Sequence, residues 1–104
     1  MIVKGWNNGN SNNLTGSGYG IKLPKEDRDK YFHRSWKFVT IQIDKSVEFE
    51  VKISNSFWNN CIELRSKKIG KYLLNQGLAP WVKYNPPILN LKYIKENRFH
   101  LSQG

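Results

Sequence analysis

The stretch from Trp36 to Ile53 constrains this chain more than any other. Val39, Ile41 and Ile43 alternate with Thr40 and Gln42, and Val47, Phe49, Val51 and Ile53 alternate with Glu48, Glu50 and Lys52. Successive side chains of a strand point to opposite faces, so both runs predict strands with one apolar and one polar face. Asp44-Lys45-Ser46 between them is short enough to close a hairpin.

The flanking segments add short elements around that hairpin. Gly20 to Pro24 reads as a short strand running into a helix over residues 25–32. Pro24 fits the first helical position, and Glu26 and Asp27 fall in the first turn, where the helix dipole favours negative charge. Tyr31 and Phe32 are expected to pack inward. Ser54-Asn55-Ser56 offers capping side chains, and Phe57, Cys61 and Leu64 follow at helical spacing. A second helical stretch begins at Ser66, with Ile69, Tyr72 and Leu73 inward and Lys67, Lys68 and Lys71 on the opposite side. Gly77 is its natural stop. Pro86-Pro87 introduces a strand in which Leu89, Leu91 and Tyr93 alternate with Asn90 and Lys92. A turn at Glu96-Asn97 leads to a last strand at Arg98–Leu101. Strands and helices do not alternate regularly, which argues against a doubly wound parallel sheet. The pattern predicts an α+β fold: a mostly antiparallel, open or pseudo-closed β-barrel with short helices at its ends.

The 104 residues are the size of a single domain, 1–104. Four Trp, five Tyr and five Phe supply large buried areas to a chain whose hydrophobic fraction is only 38%. No apolar run is long enough for a leader or a membrane span. The single cysteine, Cys61, excludes an internal disulfide and suggests a reducing, cytoplasmic setting. On the apolar face of its expected helix it reads as a buried, inert thiol. The formal charge of +9 bears on partners rather than fold, and points to a polyanion. A membrane surface would need a basic helix with a broad free apolar face, whereas the basic helix here spends that face on the core.

Residues 7–20 are almost all Asn, Gly, Ser and Thr, the composition of a flexible polar arm or loop. Trp6 and Tyr19 flank it. Gly16-Ser17-Gly18-Tyr19-Gly20 lacks the preceding strand and long following helix of a dinucleotide-binding loop. Neither His33 nor His100 has metal-ligand spacing. Asp44, Glu50 and Lys52 form a carboxylate plus Glu-x-Lys skeleton that could hold Mg²⁺ and orient a water, so a small metal-dependent nuclease is the alternative reading. A solvated strand face explains the same residues more simply. A helix-turn-helix over Phe57 to Gln76 is a further rival, but about one residue separates its two stretches where the motif wants three or four. A protein-interaction accessory role is the third alternative. The leading expectation is a non-catalytic binder with no cofactor and no metal. Basic residues lie near amides in three places: Lys4 beside Asn7–Asn13, Lys22 to Arg34, and Arg65 to Lys71. Lys and Arg attract phosphate, and Asn can meet a base edge.

The order of these phrases resembles the B3 family of DNA-binding pseudobarrels. The phrases are a polar segment ending in Gly18-Tyr19-Gly20-Ile21-Lys22-Leu23-Pro24, an aromatic at Phe32, the two central strands, Ser56-Phe57-Trp58 opening a helix, and a closing strand. The chain departs from the family at Gly77-Leu78-Ala79-Pro80-Trp81, where a Gly-Asp usually leads into a strand. The resemblance implies two arms gripping the major groove of duplex DNA. Carried over, the first arm is Asn10 to Ser17 with Lys22, and it holds Asn10, Ser11, Asn12 and Asn13 as binding residues. The second holds Ser54, Asn55, Trp58 and Asn59. Lys22, Arg34, Arg65, Lys67, Lys68 and Lys71 are then expected to neutralise phosphates.

Overall fold

The central alternation folds as the expected hairpin. Phe38–Gln42 forms β3 and Glu48–Lys52 forms β4, paired antiparallel from Phe38↔Lys52 to Gln42↔Glu48. Val39, Ile41, Phe49 and Val51 are buried, while Glu48, Glu50 and Lys52 are exposed. In the turn, Asp44 Oδ1 accepts hydrogen bonds from the backbone N–H groups of Ser46 (2.9 Å) and Val47 (3.0 Å). The computed structural model describes residues 1–44 and 46–104, so Lys45 of that turn lies outside the described residues.

Among the described residues, five further strands and two α-helices complete the fold. They are β1 (Ile2–Asn7), β2 (Tyr19–Lys22), α1 (Lys25–Tyr31), β5 (Glu63–Arg65), α2 (Lys67–Asn75), β6 (Ile88–Lys95) and β7 (Arg98–Ser102). The strands make one sheet in the order β4-β3-β7-β6-β1-β2-β5. Every ladder is antiparallel except that between β3 and β7. The edge strands β4 and β5 approach each other, and no ladder joins them among the described residues. The sheet therefore curls into a nearly closed barrel with one seam, the α+β pseudo-closed barrel that the hydrophobic pattern predicts.

Alternate residues of every strand fill the barrel: Val3, Ile21, Ile41, Val51, Leu64, Leu91 and Phe99 are among those buried. Each such side chain contributes roughly 1.5–3 kcal/mol over leaving it in water. Helix α1 leaves the end of β2 and α2 leaves the end of β5. Because β2 and β5 run antiparallel, the helices lie at opposite ends of that ladder. Phe32, just past α1, stacks on Phe99 with ring centroids 4.7 Å apart and packs on Phe57 at 5.1 Å. Ile69 and Leu73 turn inward from α2 as their spacing requires, and Gly77 follows at φ +72°. No helix among the described residues is long and apolar enough to cross a membrane.

Some expectations need correction. The helix expected over Phe57–Leu64 is a 3₁₀ turn at Asn55–Trp58 followed by β5, so the helix pair and the helix-turn-helix reading both fall. The competing force is tertiary. Gly20↔Arg65, Ile21↔Leu64 and Lys22↔Glu63 pair in a ladder that local helical spacing cannot anticipate. Cys61, with no helix to turn it inward, is exposed rather than buried. Strand β1 was not anticipated, because only Val3 and Gly5 are fully buried along it. Pro24 also shifts by one place, serving as the N-cap residue of α1, although Glu26 and Asp27 do occupy the first turn.

Candidate nucleic-acid interface

Strands β1, β2 and β5 share an outer face. Directly opposed residues point to the same side of a sheet, which gives one row of Lys4, Lys22 and Glu63 and a second of Trp6, Gly20 and Arg65. Each of the three basic segments picked out in the sequence therefore places a cation here, Lys4, Lys22 and Arg65, on neighbouring strands. In the second row the Arg65 guanidinium lies 4.8 Å from the centre of the Trp6 ring. It reaches across β2 at Gly20, where a Cβ would come within 2.3 Å of the Leu64 carbonyl oxygen. Arg65 Nη2 also donates to Glu63 Oε1 at 2.8 Å; the Glu63 side chain is only 5% exposed and that of Arg65 is 48% exposed. A cleft of about 310 Å³ opens beside this stack, bounded by Trp6, Asn8, Gly18, Arg65 and Lys67.

The β1–β2 loop, residues 8–18, lies at one end of this face. Its amides order it from within. Asn7 Oδ1 accepts from Gly9 N–H, Asn8 Oδ1 from Asn10 N–H, and Asn12 Oδ1 from the N–H groups of both Leu14 (2.8 Å) and Thr15 (2.9 Å). Such side-chain turns are the reason Asn favours loops. Asn13 Oδ1 accepts from the Tyr19 hydroxyl at 2.6 Å. The loop then docks on α2: Lys71 Nζ donates to the Leu14 carbonyl at 2.9 Å. Gly16 crosses the first turn of α2 so closely that a Cβ on Gly70 would meet its carbonyl oxygen at 2.1 Å. Lys67 and Lys68 are exposed in that turn, behind a Ser66 cap that accepts from Lys68 N–H.

The β4–β5 loop lies at the other end of the β2–β5 ladder, where Leu23 N–H donates to the Ile62 carbonyl. Trp58 is half-buried here, with the Arg34 guanidinium 4.9 Å and that of Arg28 5.5 Å from its ring centre. Arg28 is 3% exposed. Its Nη1 donates to the carbonyls of Phe57 (3.0 Å) and Asn59 (3.2 Å), and its Nε donates to Asp29 Oδ1. Asn55 and Asn59 are exposed, and Ser54 pairs its hydroxyl with that of Ser56.

The structure thus gathers Asn10, Ser11, Asn12, Asn13, Arg65, Lys67 and Lys71 at one end, Lys22 on the face between, and Arg34, Ser54, Asn55, Trp58 and Asn59 at the other. Lys68 stands apart, its Nζ 5.8 Å from the Phe49 ring centre. Asp44 and Glu50 are not brought together. Glu50 lies opposite Thr40, four residues along the ladder from Asp44, which is about 13 Å at strand spacing. Among the described residues no group of three or more His, Cys, Asp or Glu is placed to hold a metal ion. Trp6, Gly20, Arg28 and Glu63 were not among the site residues read from sequence. Glu63 and Arg65 stand two apart, which shares a face only on a strand, and the helical reading of that segment hid the pair. No protein-family model, curated protein or solved structure matches the chain.

Proposed function

We propose that this chain is a non-catalytic, B3-like module that binds double-stranded DNA, acting in the cytoplasm. The observation that carries the reading is the outer face of β1, β2 and β5, where Lys4, Lys22 and Arg65 lie together between two loops rich in exposed amides. The β2–β5 ladder between those loops is three residues long, roughly 10 Å, a scale comparable with the major groove. The order of parts also fits the resemblance, with one polar loop before the strand that ends at Lys22-Leu23-Pro24 and another between β4 and β5. Lysines on this face supply attraction to phosphate, and the loop amides supply contacts to bases; the first group sets position and the second sets specificity.

The test is binding to a labelled random duplex over a range of salt, beside single-stranded DNA and RNA of equal length. Micromolar or tighter duplex binding that weakens steeply with salt is the expected result. No duplex binding at low salt overturns the reading, and capture of a partner protein that survives nuclease treatment would replace it with the accessory role.

A further inference from the structure

We infer that Arg65 is a base-reading residue that selects guanine, rather than one of the phosphate-neutralising cations. The inference rests on the duplex-binding reading. Charge separates the two roles. A cation that serves phosphate must offer uncompensated charge, as Lys67 does at an exposed position in the first turn of α2. Arg65 is held 2.8 Å from a carboxylate that is itself almost wholly withdrawn from water. The pair is close to neutral as a unit, and Glu63 repels any phosphate that approaches the guanidinium. A base edge carries no net charge, so that repulsion is far weaker there. What survives neutralisation is the hydrogen-bonding fork.

Side-chain order separates them as well. Reading a base needs donors fixed in direction, whereas attraction to phosphate tolerates a swinging side chain. Arg65 is fixed from two sides, by the Glu63 carboxylate and by the Trp6 ring across Gly20. Gly20 has no side chain to come between them, and the backbone of β5 leaves no space there for one. Guanidinium carries five N–H donors, and Glu63 takes one of them. The others include an edge exposed beside the cleft that Asn8 and Lys67 also border. A planar fork so held matches the O6 and N7 acceptors of guanine in the major groove, the commonest specific contact of Arg with DNA.

The experiment begins with selection of preferred sites by wild-type protein from a randomised duplex library, followed by affinities and salt slopes for variants whose fold is verified by circular dichroism. R65K keeps the charge and removes the fork. It is expected to lose roughly 5- to 150-fold discrimination at one G·C position with the salt slope unchanged. E63Q frees the charge of Arg65, and is expected to tighten binding to all sequences, to steepen the salt slope by about one and to blunt discrimination at the same position. R65K with wild-type preferences overturns the inference, as does R65A that weakens every sequence equally and lowers the slope by about one. Selected sites without an invariant G·C pair overturn it while leaving duplex binding standing. A wild-type protein that binds no duplex overturns both.

Discussion

The two loops that bracket the candidate interface are held by different means. Residues 8–18 are ordered by their own amides, with Asn7, Asn8 and Asn12 each accepting from backbone N–H groups two or three residues on. The loop around Trp58 has no side-chain turn of that kind; it folds on a 3₁₀ turn, with Phe57 N–H donating to the Ser54 carbonyl and the Asn59 and Cys61 N–H groups to the Ser56 carbonyl. A buried cation on another element then clamps it, as Arg28 reaches from α1 to the carbonyls of Phe57 and Asn59. One loop therefore uses side-chain amides from adjacent sequence, and the other adds to its local turn a side chain 29 residues away. The first should survive loss of its docking partner, and the second should not survive loss of Arg28.

The strongest break of that comparison is R28M. Two carbonyls, the buried one of Phe57 and the part-buried one of Asn59, lose a charged donor while the aliphatic bulk remains. Hydrogen bonds to charged groups are worth about 1.5–3 kcal/mol each, so the expected cost of losing two is about 3–6 kcal/mol. For a domain of this size that lowers Tm by roughly 10 °C or more, read by thermal unfolding. Amide exchange should rise over 54–62 and stay unchanged over 8–18. Equal protection of both loops in R28M would show that the β4–β5 loop is not held from outside.

The next effect is smaller and falls on the other loop. Gly16 has φ +82°, and a Cβ there would meet the Lys67 carbonyl oxygen at 2.4 Å. G16A is expected to cost about 1–3 kcal/mol, through the left-handed backbone and the clash together. The loop should lift from α2, and the bond between Lys71 and the Leu14 carbonyl should break. The Asn12 turn should persist, because its acceptor and both donors lie within four residues. Exchange at Leu14 and Thr15 then stays as slow as in the wild type. Loss of the Asn12 turn in G16A would mean that docking orders this loop as well.

The same contrast explains what the sequence could tell. Hairpins β3–β4 and β6–β7 were legible because each has a long alternating run, and the polar loop was legible from its Asn and Gly content. The 3₁₀ turn and β5 were not. Phe57 and Leu64 are both buried, but they reach the core from separate elements, and their spacing with Cys61 imitates a helical face. Strand β1 buries only Val3 and Gly5 completely, too few for a period to emerge. The cations of the interface could be named one by one. Their grouping could not, since Lys4, Lys22 and Arg65 become neighbours only through the β1–β2–β5 register. Arg28 stands between Asp27 and Asp29 in the sequence, with nothing local to mark it, and only the packing of α1 against the second loop withdraws it from water.

The smallest effect comes from a third turn that repeats the Asn12 device with an ionisable acceptor. Asp44 Oδ1 accepts from the N–H groups of Ser46 and Val47, as Asn12 Oδ1 does from Leu14 and Thr15. The Ser46 N–H, with smaller help from the Ser46 hydroxyl and Val47 N–H, holds the Asp44 carboxyl below its ordinary value of about 3.9. Between the lowered folded value and the ordinary one, the unfolded chain binds more protons than the folded chain. The stabilisation is therefore complete above about pH 4 and is lost as pH falls through the folded value. D44N keeps the acceptor and removes the charge, so its urea midpoint should fall less than that of the wild type between about pH 4 and pH 2. N12D should do the reverse and give the self-ordered loop an acid-sensitive turn that it now lacks, seen as a fall in protection of Leu14 and Thr15, relative to the intrinsic exchange rate, below about pH 4. If N12D leaves that protection independent of pH, the Asn12 acceptor is not what orders the loop, and the contrast between the two loops narrows to their contacts with α1 and α2.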